Sequence, residues 1–161
     1  MAVEALLFPI FNRLISTIIE GGIEEIKKSA EAKHLRLMVR ERLGRELRFN
    51  DELLKYDKFK EGERVSVIET EALDFIMSQP MPLGVFFNLS EPLDPSIFIN
   101  SPNDNHTSWG MTIKSEGELV ERWWHRVRLA QLKQKAGLPP GDLAYLHLLC
   151  RALHTSLMKI D

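Results

Sequence analysis

Apolar side chains recur at helical spacing through most of this chain, and most clearly over residues 116–160. On a wheel of about 100° per residue, Leu119, Val120, Trp123, Trp124, Val127 and Ala130 share an arc of roughly 140°. Glu118, Glu121, Arg122, Arg126 and Arg128 fall mostly outside that arc, so the spacing predicts a helix over residues 116–136. Ser115 is placed to cap it, with Glu118 completing a capping box. Lys133 and Lys135 suit the negative end of the helix dipole. Gly137 ends the helix, because glycine takes the left-handed C′ conformation without steric cost. A second helix is predicted over residues 142–160, where Leu143, Leu146, Leu149, Cys150, Leu153, Leu157 and Ile160 form a stripe about 120° wide. The turn Gly137-Leu138-Pro139-Pro140-Gly141 is short and favours antiparallel neighbours, so the C-terminal third reads as a helical hairpin.

Residues 5–19 are the most apolar stretch, and as a helix they divide cleanly. Leu7, Phe8, Ile10, Phe11, Leu14, Ile15, Ile18 and Ile19 take one half, and Asn12, Arg13, Ser16, Thr17 and Glu20 the other. The stretch is too short to span a membrane, and its polar face carries a single cation, which disfavours in-plane membrane contact. Gly21-Gly22 then breaks or bends the chain. Residues 23–56 are rich in Glu, Lys, Arg and Leu and predict a long helix. Its apolar positions drift around the wheel, which argues against a sustained coiled coil. Gly44 suggests a close helix crossing or a bend near Asn50. Residues 65–78 predict a further helix, ended by Pro80 and Pro82. Residues 83–89 fit a strand, a 3₁₀ turn or a core-lining loop equally well. Turn formers crowd residues 91–110, where 96–100 and 109–113 read as short strands.

Charge is distributed unevenly although the net value is only −2. Residues 60–117 hold nine acids against Lys60, Arg64 and Lys114, whereas residues 33–48 hold Lys33, Arg36, Arg40, Arg42, Arg45 and Arg48 against Glu41 and Glu46. Two readings of the basic stretch follow. It is a solvated face with internal pairs such as Glu41–Arg45 and Arg42–Glu46, or it grips phosphates through Arg36, Arg40, Arg45 and Arg48. Only Phe49 and Tyr56 lie nearby as aromatics, so the interleaving of a single-strand binder is missing. Cys150 is the one cysteine, which excludes a disulfide framework and fits a reducing, cytoplasmic setting. The start Met1-Ala2-Val3-Glu4 lacks the basic region of a secretory signal.

His147, Cys150 and His154 stand at i, i+3 and i+7 and bear zinc-type donors, but Cys150 sits inside the leucine stripe. Arg151 and His154 together resemble the Arg…His pair of the HEPN family of helical ribonucleases. The resemblance implies that His154 would move protons and Arg151 would stabilise phosphate charge on an RNA phosphodiester. It covers these two residues and a general helical character. The family's usual spacing is four to six intervening residues, and here there are two. No glycine-rich phosphate loop, Cys-x-x-Cys pair, nucleophile elbow or His-Glu-x-x-His motif is present, so no cofactor is expected.

These patterns predict a single, mainly α domain over residues 1–161. It has four to five helices, a C-terminal antiparallel hairpin and a short irregular or β-containing insertion at about residues 83–113. The apolar helix surface exceeds what one small core obviously needs. The expectation is therefore a non-enzymatic, bacterial, accessory or scaffold subunit that associates with itself or with a larger complex. Its contact residues would be Leu7, Phe8, Phe11, Ile15 and Ile18 on an N-terminal arm (residues 1–22), and Trp123 and Trp124 on the hairpin. The alternative is a nucleic-acid-binding helical protein, with or without RNA cleavage.

Overall fold

One long helix, α1 (Ala30–Lys55), runs unbroken over 26 residues and is the longest of the described helices. Ser29 caps it, accepting from Ala32 N at 3.1 Å. Its buried face steps through Leu35, Val39, Leu43 and Leu47 at intervals of four. Four residues turn an α-helix by about 400°, so each step moves the stripe about 40° around the axis. That winding explains the drift of the apolar pattern and lets one helix meet several neighbours. The computed structural model describes residues 9–10, 12–16, 22, 27–99 and 103–159. Within them the chain is mainly helical and contains no strand.

The helix expected within residues 65–78 is α3 (Glu71–Ser78), and a separate short helix, α2 (Glu61–Ser66), precedes it. Two polar side chains on the buried face of α1 make the break. Asn50, fully buried, donates from Nδ2 to Glu69 O at 2.7 Å and accepts Glu69 N at 2.9 Å. Glu46 accepts from Ala72 N at 2.6 Å and Leu73 N at 3.3 Å, supplying from another helix the cap that Thr70 does not. Glu46 therefore does not pair with Arg42, which reaches Glu71 at 3.2 Å instead.

Residues 83–89 resolve to a 3₁₀ turn (Leu83–Val85) that drops Phe86 and Phe87 into the core. The strands expected at 96–100 and 109–113 do not form. A 3₁₀ turn (Pro95–Phe98) and helix α4 (Asp104–Met111) take their places, because Asp94 and Asn103 cap helical turns with their own carboxylate and amide oxygens. Phe98 lies against Gly110, where a Cβ would sit 2.5 Å from the ring. His106 of α4 is buried between Trp109 and Tyr145, with ring centroids 5.4 and 5.7 Å away, and its Nε2 meets Asp142.

The last two helices are α5 (Glu116–Lys135) and α6 (Leu143–Met158). Ser115 accepts from Glu118 N at 3.2 Å, while the Glu118 carboxylate takes Lys114 N, one residue earlier than a capping box requires. At the far end Gly137 has φ 72°, and Leu138 N reaches Lys133 O while Gly137 N reaches Gln134 O, the paired bonds of a Schellman end. Asp142 caps α6 through Tyr145 N at 3.0 Å. The two helices pack on each other, and α6 packs most extensively on α1. Among the described residues, no helix is long and apolar enough to cross a membrane.

Candidate functional site

Where α1 and α6 lie side by side, the outer edge of their seam opens into a groove of about 570 Å³. Its apolar lining is Leu37, Gly44, Leu157 and Met158. Leu37 is 67% exposed and Met158 62%, while a Cβ at Gly44 would meet no atom within 4 Å. The polar lining is cationic: Arg36, Arg40, Arg45, Arg48 and Lys159 stand against a single acid, Glu41, with His154 alongside. The fold thus gathers four of the five arginines of the basic stretch with His154 in one place, Arg42 alone turning away to Glu71.

These cations differ in what they already hold. Arg40 is tied inward, bonding Glu116 through both terminal nitrogens and donating to Phe86 O at 3.3 Å. Glu116 is buried and also accepts from Ser156 Oγ at 2.6 Å and Asn88 N at 3.2 Å. Arg40 is therefore a tie between α1, α5, α6 and the Phe86–Asn88 loop, with little left to offer a ligand. Arg45 pairs with Glu41 across one turn, both side chains well exposed. Lys159 meets Asp94 at 3.4 Å, also at the surface. Arg48 is exposed and makes no ion pair among the described residues. His154 is half-buried and makes no hydrogen bond among them.

No family model, curated protein or solved structure matches this chain. Its function must be argued from the groove and from the placement of the other candidate residues.

The trio His147, Cys150 and His154 is not assembled as a ligand set. Cys150 is fully buried and donates to Leu47 O at 3.3 Å, and burial pushes its thiol well above the ordinary value, away from thiolate. His147 Nε2 meets Asp51 at 2.6 Å; burial lowers its imidazole below the usual value against the pull of that carboxylate. Burial also pushes Asp51 upward, but its bonds to Lys55 and His147 outweigh that and hold it low. Among the described residues, no group of three His, Cys, Asp or Glu side chains is placed to hold a metal. The Arg151–His154 pair divides as well: His154 lines the groove and Arg151 is not among the lining residues.

Of the expected contact residues, Leu7, Phe8, Phe11 and Ile18 lie outside the described residues. Ile15 is half-buried against the core beside Leu14. Trp123 is fully buried and presents no surface. Trp124 is half-buried and donates from Nε1 to Asp74 at 3.0 Å, tying α5 to α3. The exposed apolar residues are others. Leu37 and Met158 are the two of these that line the groove, Met158 at the last position of its helix and off the leucine stripe.

Proposed function

We propose that this chain is a non-enzymatic helical interaction subunit that holds a protein partner, or another copy of itself, in the groove between α1 and α6. The observation that carries this reading is the pair Leu37 and Met158, two large apolar side chains left exposed on the walls of one concave surface. A concave, largely apolar surface with a polar rim is the usual anatomy of a protein-binding groove. The test is the native mass of the protein taken from cells. The wild type is expected in a complex larger than its own 18.6 kDa, and Leu37→Glu is expected to return it to that mass. A wild type that runs at the single-chain mass overturns the reading.

A second reading has its own support. Arg36, Arg45, Arg48 and Lys159 line the same groove as His154, which suits a phosphate backbone. It expects retention on RNA or DNA that falls steeply as salt rises and is weakened by Arg45→Glu with Arg48→Glu. Absence of retention at about 50 mM salt removes it.

A further inference from the structure

The α1–α6 groove makes two chemical demands on one occupant, and we infer that its ligand is an acidic, amphipathic helical segment of a protein partner. The inference rests on the association reading above and specifies the chemistry of the partner. Along α1 the groove runs from Arg36 to Arg48, which at about 1.5 Å per residue is roughly 18 Å, a little over three helical turns. A helix with apolar residues at i, i+3 or i+4, and i+7 presents a stripe of that length and lays it into such a groove. The floor suits it. Met158 adapts its shape to whatever side chain arrives, and the open space over Gly44 admits a large one.

The rim supplies the second demand. Among the described residues, Arg48 has no ion pair, and Arg45 and Lys159 hold only exposed pairs with Glu41 and Asp94. Solvent-exposed pairs of that kind contribute little, so carboxylates on the flanks of an incoming helix can displace them readily. A nucleic acid would satisfy the cations but leave Leu37 and Met158 uncovered. Among the described residues, no Phe, Tyr or Trp lines the groove to stack a base, and one of its arginines, Arg40, is already turned inward to Glu116.

The test is a display library of random peptides about 16 residues long, enough for some four helical turns, sorted on the whole folded protein and on its Leu37→Glu variant. Single-stranded RNA and double-stranded DNA oligonucleotides form separate arms, read by fluorescence anisotropy. The expected winners carry net negative charge with apolar residues at helical spacing. Their binding should be lost with Leu37→Glu, blocked by Gly44→Met, which fills the floor without adding charge, and weakened about tenfold by Arg45→Glu with Arg48→Glu. Circular dichroism of each variant confirms that it folds. Winners that are basic, neutral or without helical periodicity, yet lost with Leu37→Glu, overturn the acidic partner and leave the groove reading intact. Equal enrichment on both proteins, or none on either, overturns both. Tighter binding of an oligonucleotide than of any peptide, abolished by the double arginine reversal, gives the groove to nucleic acid and overturns the inference.

Discussion

Glu46 is the residue whose chemistry departs furthest from its appearance in the sequence. It stands among five arginines and reads as a surface partner for Arg42, yet it is buried and caps α3 from across the seam. Desolvation raises its carboxyl to about 7, against the lowering effect of the two backbone N–H groups. An acid raised in the folded state adds stability that is complete below its unfolded value near 4.5 and is lost as pH climbs toward 7. His147, depressed by burial, works in the opposite sense: its contribution is present above 6.5 and fades as pH falls. Comparing Glu46→Gln with the wild type cancels the histidine. Urea unfolding should show the Gln variant gaining about 2–3 kcal/mol on the wild type between pH 5 and pH 8. A difference that stays flat over that range would show that Glu46 titrates normally. The buried Arg40–Glu116 tie makes a second prediction. Glu116→Ala leaves a guanidinium without its partner and should cost about 3–5 kcal/mol in the same measurement, whereas Arg40→Met with Glu116→Leu should cost much less than either single change implies.

At the scale of elements, the helices that pack by a regular stripe were legible and those made by side-chain capping were not. The bounds of α5 and α6 follow from Ser115, Gly137 and Asp142, residues whose local chemistry announces a helix end. The split between α2 and α3 could not be read in the same way, because its causes, Glu46 and Asn50, lie some twenty residues earlier. A signal was there: both stand on the apolar face of α1, where a polar residue needs a partner. Pro95 and Asn103 read as turn formers and each starts a helical turn, since a side-chain oxygen that closes a turn, as at Asn103, also caps a helix. Gly44 marks no close crossing among the described residues. Gly44→Ala should therefore raise the stability of α1 by about 1 kcal/mol in thermal or urea unfolding. Gly110→Ala should do the reverse, costing about 1–3 kcal/mol, because its methyl would press on the ring of Phe98.

For the molecule as a whole, the described residues place part of the apolar surface expected outside in the core and leave other apolar side chains exposed. Trp123 completes the core, Trp124 stitches two helices, and Leu14 and Ile15 turn inward, while Leu37 and Met158 stay out. Wheels rank residues by the face they share and cannot tell which shared face finds a neighbour; that is settled only when α1 winds past α6. The four arginines were recognised as a set, and the groove keeps them together. Their division into an inward tie and an outward rim needed Glu116, far along the chain.

The lone cysteine gives this arrangement a built-in gauge. Cys150 sits in the same seam whose outer edge forms the groove, sealed under the backbone of Leu47. A thiol reagent can reach it only when α1 and α6 part. The rate of alkylation under native conditions thus reports how often that seam breathes, and any molecule that clasps the two helices from outside should slow the reaction in proportion to its grip.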